Sequence, residues 1–318
     1  MINVALVGTW HVHFDGYARE IKNDGRCRIT ALWDPDPAKG QATAEKYACD
    51  FVKSYDALLA RDDVDAVLVC TSTDLHKEVV TKAANAGKHI FTEKVLCFTE
   101  ADALAVADAV KQSGVKFCIS YPWRCRSDFK WVKQAVDEGL VGKVNYCRMR
   151  NAHNGASSGW LPQTFYDPAT CGGGAMMDLG AHGMYLLYWL LGRPVKAASA
   201  FTHVTVDSVE DNAATVFTYE NGAIGINETA FVAENDPFSF ELVGDKGAIL
   251  LGGFLDKACY NVGGGWVFPR LPKADPGPIP AWLDAIENDT PTPFGIDDAV
   301  ALSMMMEMAY KSVMCNKQ

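Results

Sequence analysis

Asp178 and His182 stand four residues apart. The apolar run from about Met176 to Leu191 predicts a helix around them. Side chains at that spacing lie on one helical face, one turn apart. A histidine beside a carboxylate is an acid/base pair, because the carboxylate stabilises the imidazolium formed when the ring takes a proton. The same spacing also serves as a plain structural pair. The glycine run Gly172-Gly173-Gly174 just before it would let the backbone approach a ligand closely. A second pair, Glu93-Lys94, follows the strand-like segment His89 to Thr92. It reads either as part of a site or as a surface ion pair. His11 and His13 flank Val12, and with no carboxylate or thiol cluster beside them in the chain no metal is expected.

Gly8 ends the apolar segment Ile2 to Val7, and a helical stretch follows to about Asn23. A dinucleotide fold offers backbone N–H groups and a helix N-terminus to a pyrophosphate at that point. The loop Gly8, Thr9, Trp10, His11 and Val12 is therefore a candidate cofactor contact. It keeps one glycine of the G-x-G-x-x-G spacing, with Trp10 and His13 in the other two places, and it also reads as an ordinary βα turn. Asp34 ends the second strand, near the ~20-residue spacing at which an acid meets the adenosine ribose. A carboxylate there favours NAD over NADP, because it repels a 2′-phosphate. A solvated turn over Asp34-Pro35-Asp36-Pro37 is the alternative. Thr71 and Ser72 through His76 follow a third strand, Ala66 to Cys70, on the side where open α/β sheets bind ligands.

These residues need elements to place them. Strand and helical patterns alternate through the first 120 residues: strands at 2–7, 28–33, 66–70, 89–92 and 116–120, helices near 37–47, 55–60, 75–86 and 100–112. That alternation implies a doubly wound parallel sheet. Beyond it come a helix near 130–138, a strand at 142–151 and the 176–191 helix. Successive strands at 197–206, 212–219, 223–231, 238–243 and 248–251 then follow without crossover helices, as in an open, mainly antiparallel sheet. Asn221-Gly222 marks a hairpin. The Gly- and Pro-rich stretch 263–280 reads as a loop, and an apolar helix closes the chain near 297–314. The expectation is an α/β protein with a Rossmann domain over 1–120 and a C-terminal α/β domain over 121–318.

Composition narrows the class. The chain has 318 residues, 49% of them hydrophobic, and a net charge of −10 from 29 basic and 39 acidic residues. Such acidity is unsuited to phosphate backbones, so no nucleic-acid partner is expected. No apolar run reaches the ~18 residues of a membrane span. Ten cysteines are scattered without a C-x-x-C pair, which suits free thiols in a reducing cytoplasm. The first residues enter a strand with no basic leader, so no signal peptide is expected.

Taken together, Val7-Gly8-Thr9, Asp34-Pro35, Thr71 through His76, and Ala86-Gly87-Lys88-His89 with Glu93-Lys94 resemble the Gfo/Idh/MocA oxidoreductase family. So do Gly172-Gly173-Gly174 through His182, Glu210-Asp211-Asn212-Ala213 and Ile296-Asp297-Asp298-Ala299. The resemblance covers essentially the whole chain. It implies a nicotinamide cofactor, a C-terminal domain whose open sheet makes a homo-oligomer (dimer or tetramer), and a last helix packing back on the first domain. It implies that Lys94 joins Asp178 and His182 at the reacting carbon. His182 is then the proton acceptor from a substrate hydroxyl, Asp178 orients it, and Lys94 bridges cofactor and substrate oxygen. Glu93 and His76 join the cofactor contacts. Val95 replaces the proline that usually follows Glu-Lys, and Tyr185 stands where many relatives carry an acid. Tyr121, Trp123, Arg124, His153, Trp160 and Tyr166 are the candidate substrate contacts, since aromatics and hydrogen-bonding side chains suit a sugar ring. The expected activity is NAD-dependent oxidation of a sugar, sugar derivative or cyclitol. The alternative is a redox-neutral enzyme that retains NAD and acts through a keto-sugar as a glycosidase, lyase or epimerase.

Overall fold

A computed structural model describes residues 1–253 and 255–313. The chain divides into two compact units, residues 1–120 with 276–303, and residues 121–275 with the remainder. Cys315 and the last position of the expected final helix lie outside the described residues; the nine described cysteines form no disulfide with one another.

The first unit alternates β1 (Ile2–Val7), α1 (Phe14–Asn23), β2 (Cys27–Trp33), α2 (Pro37–Tyr47), β3 (Asp50–Phe51), α3 (Tyr55–Leu59), β4 (Ala66–Val69), α4 (Thr73–Asn85), β5 (His89–Thr92), α5 (Glu100–Ser113) and β6 (Phe117–Ile119). Every strand pairing is parallel, in the order β3-β2-β1-β4-β5-β6. The order reverses between β1 and β4, which is the switch point where such sheets bind ligands. The central strand β4 is uniformly apolar, as suits a strand with both faces covered; all four of its residues are buried. Local signals set the helix ends. Asp36 accepts from the Ala38 and Lys39 amides, Ser54 from Ala57 and Thr99 from Asp102, each satisfying amides that the first helical turn leaves over. Gly114, at φ +70°, closes α5, a left-handed cap that glycine adopts without strain.

The second unit contains α6 (Ser127–Asp137), β7 (Val144–Ala152), α7 (Pro168–Cys171), α8 (Ala175–Asp178), α9 (Gly180–Leu191), β8 (Lys196–Thr202), β9 (Asn212–Thr218), β10 (Ile224–Ala230), β11 (Phe238–Gly244), β12 (Ala248–Gly252) and β13 (Leu255–Asn261). Its seven strands run β13-β12-β11-β7-β10-β9-β8. Among the described strands of this unit only β10 and β7 pair in parallel; β7 with β11 and the rest are antiparallel. The helices α8 and α9 pack on one face, where the Asn227 amide donates to Gly180 O and the Thr229 hydroxyl to Ala175 O. Alternate residues of the same strands point the other way. There Glu228 pairs with Arg148 and Arg150, beside a groove of about 420 Å³ that Ala152, Ala200, Asn212 and Ala214 also line.

Several elements differ from the sequence reading. β3 and β13 are strands that the pattern did not disclose, β3 because it has two residues. The expected 263–280 loop ends early, because Pro278 opens α10 (Pro278–Glu287); proline is pre-set for a first helical turn and needs no amide partner there. α10 belongs to the first unit, where Trp282 is wholly buried against Phe91 and donates its indole N–H to Lys116 O. The closing helix, α11, spans Ile296–Lys311. No helix among the described residues is long and apolar enough to cross a membrane.

Candidate functional site

In the first unit the β1–α1 loop is tied inward. The Gly8 amide donates to Trp33 O, and the Trp10 and His11 amides both donate to Cys70 O. The His13 amide donates to His11 Nδ1. The Thr9 and Val12 amides have no partner among the described residues. Gly8 adopts φ +77°, and a Cβ there would lie 2.8 Å from Thr71 Cα. Glycine is thus required both by its dihedral and by the approach of the loop after β4. Thr71 is buried, and its hydroxyl has no hydrogen-bond partner among the described residues. An orphaned hydroxyl at the switch point fits a ligand oxygen, since an unmet buried hydroxyl otherwise costs free energy. Asp34 is also buried; one oxygen accepts from the Thr9 hydroxyl and the other from the Asp36 amide. A carboxylate takes about four hydrogen bonds, so capacity for a ribose hydroxyl remains. These residues fit a dinucleotide. Trp10 is half-buried beside His11, with ring centroids 5.9 Å apart, and Val12 is exposed.

Glu93, 1% exposed, is the hub of a polar cluster. His13 Nδ1 lies 2.7 Å and His11 Nδ1 3.7 Å from its Oε1. Tyr17 donates its hydroxyl to the same oxygen, and the Lys94 amide donates to Oε2. Burial opposes the charge on Glu93. The charges of His11, His13 and Lys94, with the His13 hydrogen bond, outweigh it and hold the carboxyl well below the usual carboxylate range. Burial, with Glu93 beside it, pushes the Tyr17 phenol well up. The sequence reading found no acid beside the two histidines; the fold brings Glu93 from β5, and the three ligand-type atoms lie within 4.8 Å of one another. Those atoms are turned onto one another, onto Tyr17 and onto a backbone amide.

His76 is buried, with Nδ1 2.9 Å from Val95 O and Nε2 3.2 Å from Thr71 O. Burial lowers its pKa. Both ring nitrogens face carbonyls of the chain, so His76 braces the Thr71 and Val95 loops. Ser72 is buried and precedes α4. Lys94 is 6% exposed, and the peptide bond joining it to Val95 is cis.

In the second unit the glycine run has a different purpose from the one its sequence suggested. A Cβ on Gly173 would lie 1.8 Å from the Tyr310 hydroxyl, and one on Gly174 2.0 Å from Glu210 O. The close approach is made by the chain itself. Glu210 is buried; its carboxylate accepts from the Gly174 and Met176 amides and from Tyr310, which secures the start of α8. Burial raises its pKa, against the Tyr310 hydrogen bond and these amides. Asp178 ends α8 and His182 lies in the first turn of α9. The expected single helix is interrupted at Leu179, whose backbone stays helical.

His182 is 7% exposed. Its ring stacks on Trp123, with centroids 5.2 Å apart at 22°. Its Nδ1 lies 2.9 Å from the Tyr185 hydroxyl. Tyr185 in turn stacks on Tyr121 at 4.1 Å and accepts the Trp123 amide at 3.3 Å. Sequence reasoning named Tyr185 only as a departure; its position three residues after His182, on the same helical face, was the available signal. Tyr121 is wholly buried. Arg124 lies over Trp189. His153 stacks on Phe231 and lies 4.6 Å from Trp160. Burial lowers its pKa, while the charge of Asp178 works the other way. Trp160 is 55% exposed, bonded to Asn154; Tyr166 is partly exposed near Phe231.

Comparison with known proteins agrees with this architecture. Residues 2–121 match the model of an oxidoreductase family with an NAD-binding Rossmann fold, and residues 129–250 that of the GFO/IDH/MocA C-terminal domain. A myo-inositol 2-dehydrogenase of Thermotoga maritima is 30% identical over 265 residues, 78% of this chain and 73% of that protein. A 2,7-anhydro-N-acetylneuraminate hydratase of Mediterraneibacter gnavus is 33% identical over 162 residues, 51% of this chain and 41% of its own length; the chain thus spans well under half of that relative. Among solved structures, a levoglucosan dehydrogenase in complex with NADH and levoglucosan superposes with a TM-score of 0.83 at 19% identity, covering 98% of this chain and 96% of the other. With both of its domains matched in order, the chain belongs to the Gfo/Idh/MocA family of oxidoreductases.

Proposed function

We propose that this oxidoreductase is an NAD-dependent dehydrogenase acting on a secondary alcohol of a sugar, sugar derivative or cyclitol. The observation that carries the reading is His182, a buried histidine held on a fixed aromatic and hydroxyl frame, in a chain with an NAD-binding Rossmann domain. When bound, the nicotinamide supplies the hydride acceptor. His182 takes the hydroxyl proton as the carbinol C–H leaves as hydride. Asp178, one turn away, binds a neighbouring hydroxyl and supplies negative charge beside the imidazolium. Lys94 places an ammonium at the substrate oxygen, where it stabilises developing negative charge. Trp123, Arg124, His153, Trp160 and Tyr166 are proposed to contact the sugar; Tyr121 supports them from the core.

Asp34 supports NAD over NADP, since a buried carboxylate at the ribose position repels a 2′-phosphate. Calorimetric titration should show tighter binding of NAD than of NADP; tighter NADP would overturn the assignment. The groove beside Arg148, Arg150 and Glu228 supports a homo-oligomer through the second sheet, and light scattering should give a dimer or tetramer. A cytoplasmic location remains part of the proposal.

The hydratase relative favours a second reading, in which a redox-neutral enzyme oxidises, eliminates or adds, and re-reduces on retained NAD. Net NADH release under steady turnover separates the two. Continuous accumulation supports the dehydrogenase; product formation without NADH supports the alternative.

A further inference from the structure

The sequence pairs His182 with Asp178, but the atom that meets His182 Nδ1 is the hydroxyl of Tyr185, at 2.9 Å. That hydroxyl also receives the Trp123 amide at 3.3 Å, and an amide N–H can only donate. One lone pair of the phenol oxygen is therefore committed, which leaves its other lone pair and its O–H, either of which can meet Nδ1 according to the tautomer of His182. Two more constraints fix the phenol and the imidazole. Tyr185 is 2% exposed and lies flat on Tyr121, with centroids 4.1 Å apart at 18°. His182 lies nearly flat on Trp123, the residue whose amide holds the phenol. The ring plane of His182 is thus set by Trp123 and its rotation within that plane by Tyr185.

We infer that Tyr185 is a positioning residue: its hydroxyl receives the Nδ1–H of neutral His182, so that proton exchange with a substrate hydroxyl runs through Nε2. This rests on the dehydrogenase reading for its purpose, but the tautomer is a property of the protein alone. In the oxidation the hydroxyl proton would move to Nε2 as the carbinol C–H leaves as hydride, for which a bound nicotinamide would be the acceptor. The imidazolium then keeps its Nδ1–H bond to a neutral phenol. In reduction the same proton returns from Nε2 to the oxygen.

The test uses the full chain with 15N-labelled histidine. Long-range proton–nitrogen correlation spectra report which ring nitrogen carries the proton, and the His182 signals are assigned by their loss in His182→Ala. The wild type should show protonated Nδ1 and unprotonated Nε2. Tyr185→Phe keeps the ring stacked on Tyr121 and removes only the hydroxyl, so the tautomer should shift toward protonated Nε2 while the circular dichroism spectrum is retained. With a substrate from a sugar and cyclitol panel, kcat of the variant should fall about 10–100-fold with KM nearly unchanged, since an interaction with the general base changes the transition state more than binding. A wild-type ring protonated at Nε2, or a Tyr185→Phe protein with the wild-type tautomer and kcat, would overturn the inference. Failure of the whole panel to reduce NAD would instead count against the dehydrogenase reading and leave the tautomer result to decide Tyr185. A purely structural Tyr185 would lower stability without moving either the tautomer or the kcat–KM split.

Discussion

His182 and Glu93 are both buried ionisable residues, and their partners give them different expected behaviour. His182 faces a neutral phenol and an indole ring. Its replacement by alanine should lower kcat by about 10²–10⁴, the range for loss of a general base, and leave NAD affinity unchanged by calorimetry. Wild-type turnover in that variant would remove His182 from the chemistry. Glu93 faces two histidines, a lysine and a tyrosine, and its role is read in stability. Its folded pKa lies below the ordinary ~4.3 of a glutamate. The stability it contributes is therefore fully present above that ordinary value, and is lost as pH falls through the lower folded value. Glu93→Gln should cost about 1–3 kcal/mol at neutral pH, as for a buried partner left unmatched. Urea unfolding across the acid range should show a weaker pH dependence in the variant than in wild type. At this scale the sequence carries a signal where spacing along one helix decides proximity, as for His182 and Tyr185, three residues apart in α9. The union of His11 and His13 with Glu93 was not legible, because β5 and the β1–α1 loop meet only through the parallel sheet.

Elements turn such residues into a site by fixing where chain segments stop. The strand ends after β1 and β4 converge on Gly8 and Thr71 because glycine alone permits that approach. The Gly172–Gly174 turn shows the same physics with a different beneficiary, since Tyr310 and the Glu210 carbonyl occupy the space a ligand was expected to take. Gly174→Ala should therefore destabilise the protein by about 1–3 kcal/mol through overpacking, visible as a lower melting temperature. A variant of unchanged stability would show that the turn has slack. Most strands and helices were readable from apolar periodicity and caps, and Pro37, Ser54 and Gly114 stand at helix ends. The misses have physical causes. β3 is too short to carry a period, and α10 begins on prolines that in isolation mark a loop. The glycine run permits close approach but does not name what approaches.

For the whole molecule, the net charge of −10 sets a condition on any anionic cofactor, because long-range attraction cannot supply the binding. Binding must come from local groups, and the first unit concentrates them at its switch point: the orphaned Thr71 hydroxyl, the Asp34 carboxylate, and the Thr9 and Val12 amides. Calorimetric NAD affinity should then depend only weakly on ionic strength, in contrast to steered association between opposite charges. The two family-model matches cover the Rossmann and C-terminal domains separately, so the oxidoreductase class rests on both. The substrate rests on side chains around His182 that sequence reasoning could nominate but not arrange. The most direct test is nicotinamide absorbance during incubation of wild type and His182→Ala with NAD and a panel of sugars and cyclitols. Sustained NADH formation by the wild type with at least one polyol, lost in the variant although it still binds NAD, is the expected result. NADH formation at the same rate in both proteins, or in neither with any polyol, would contradict it.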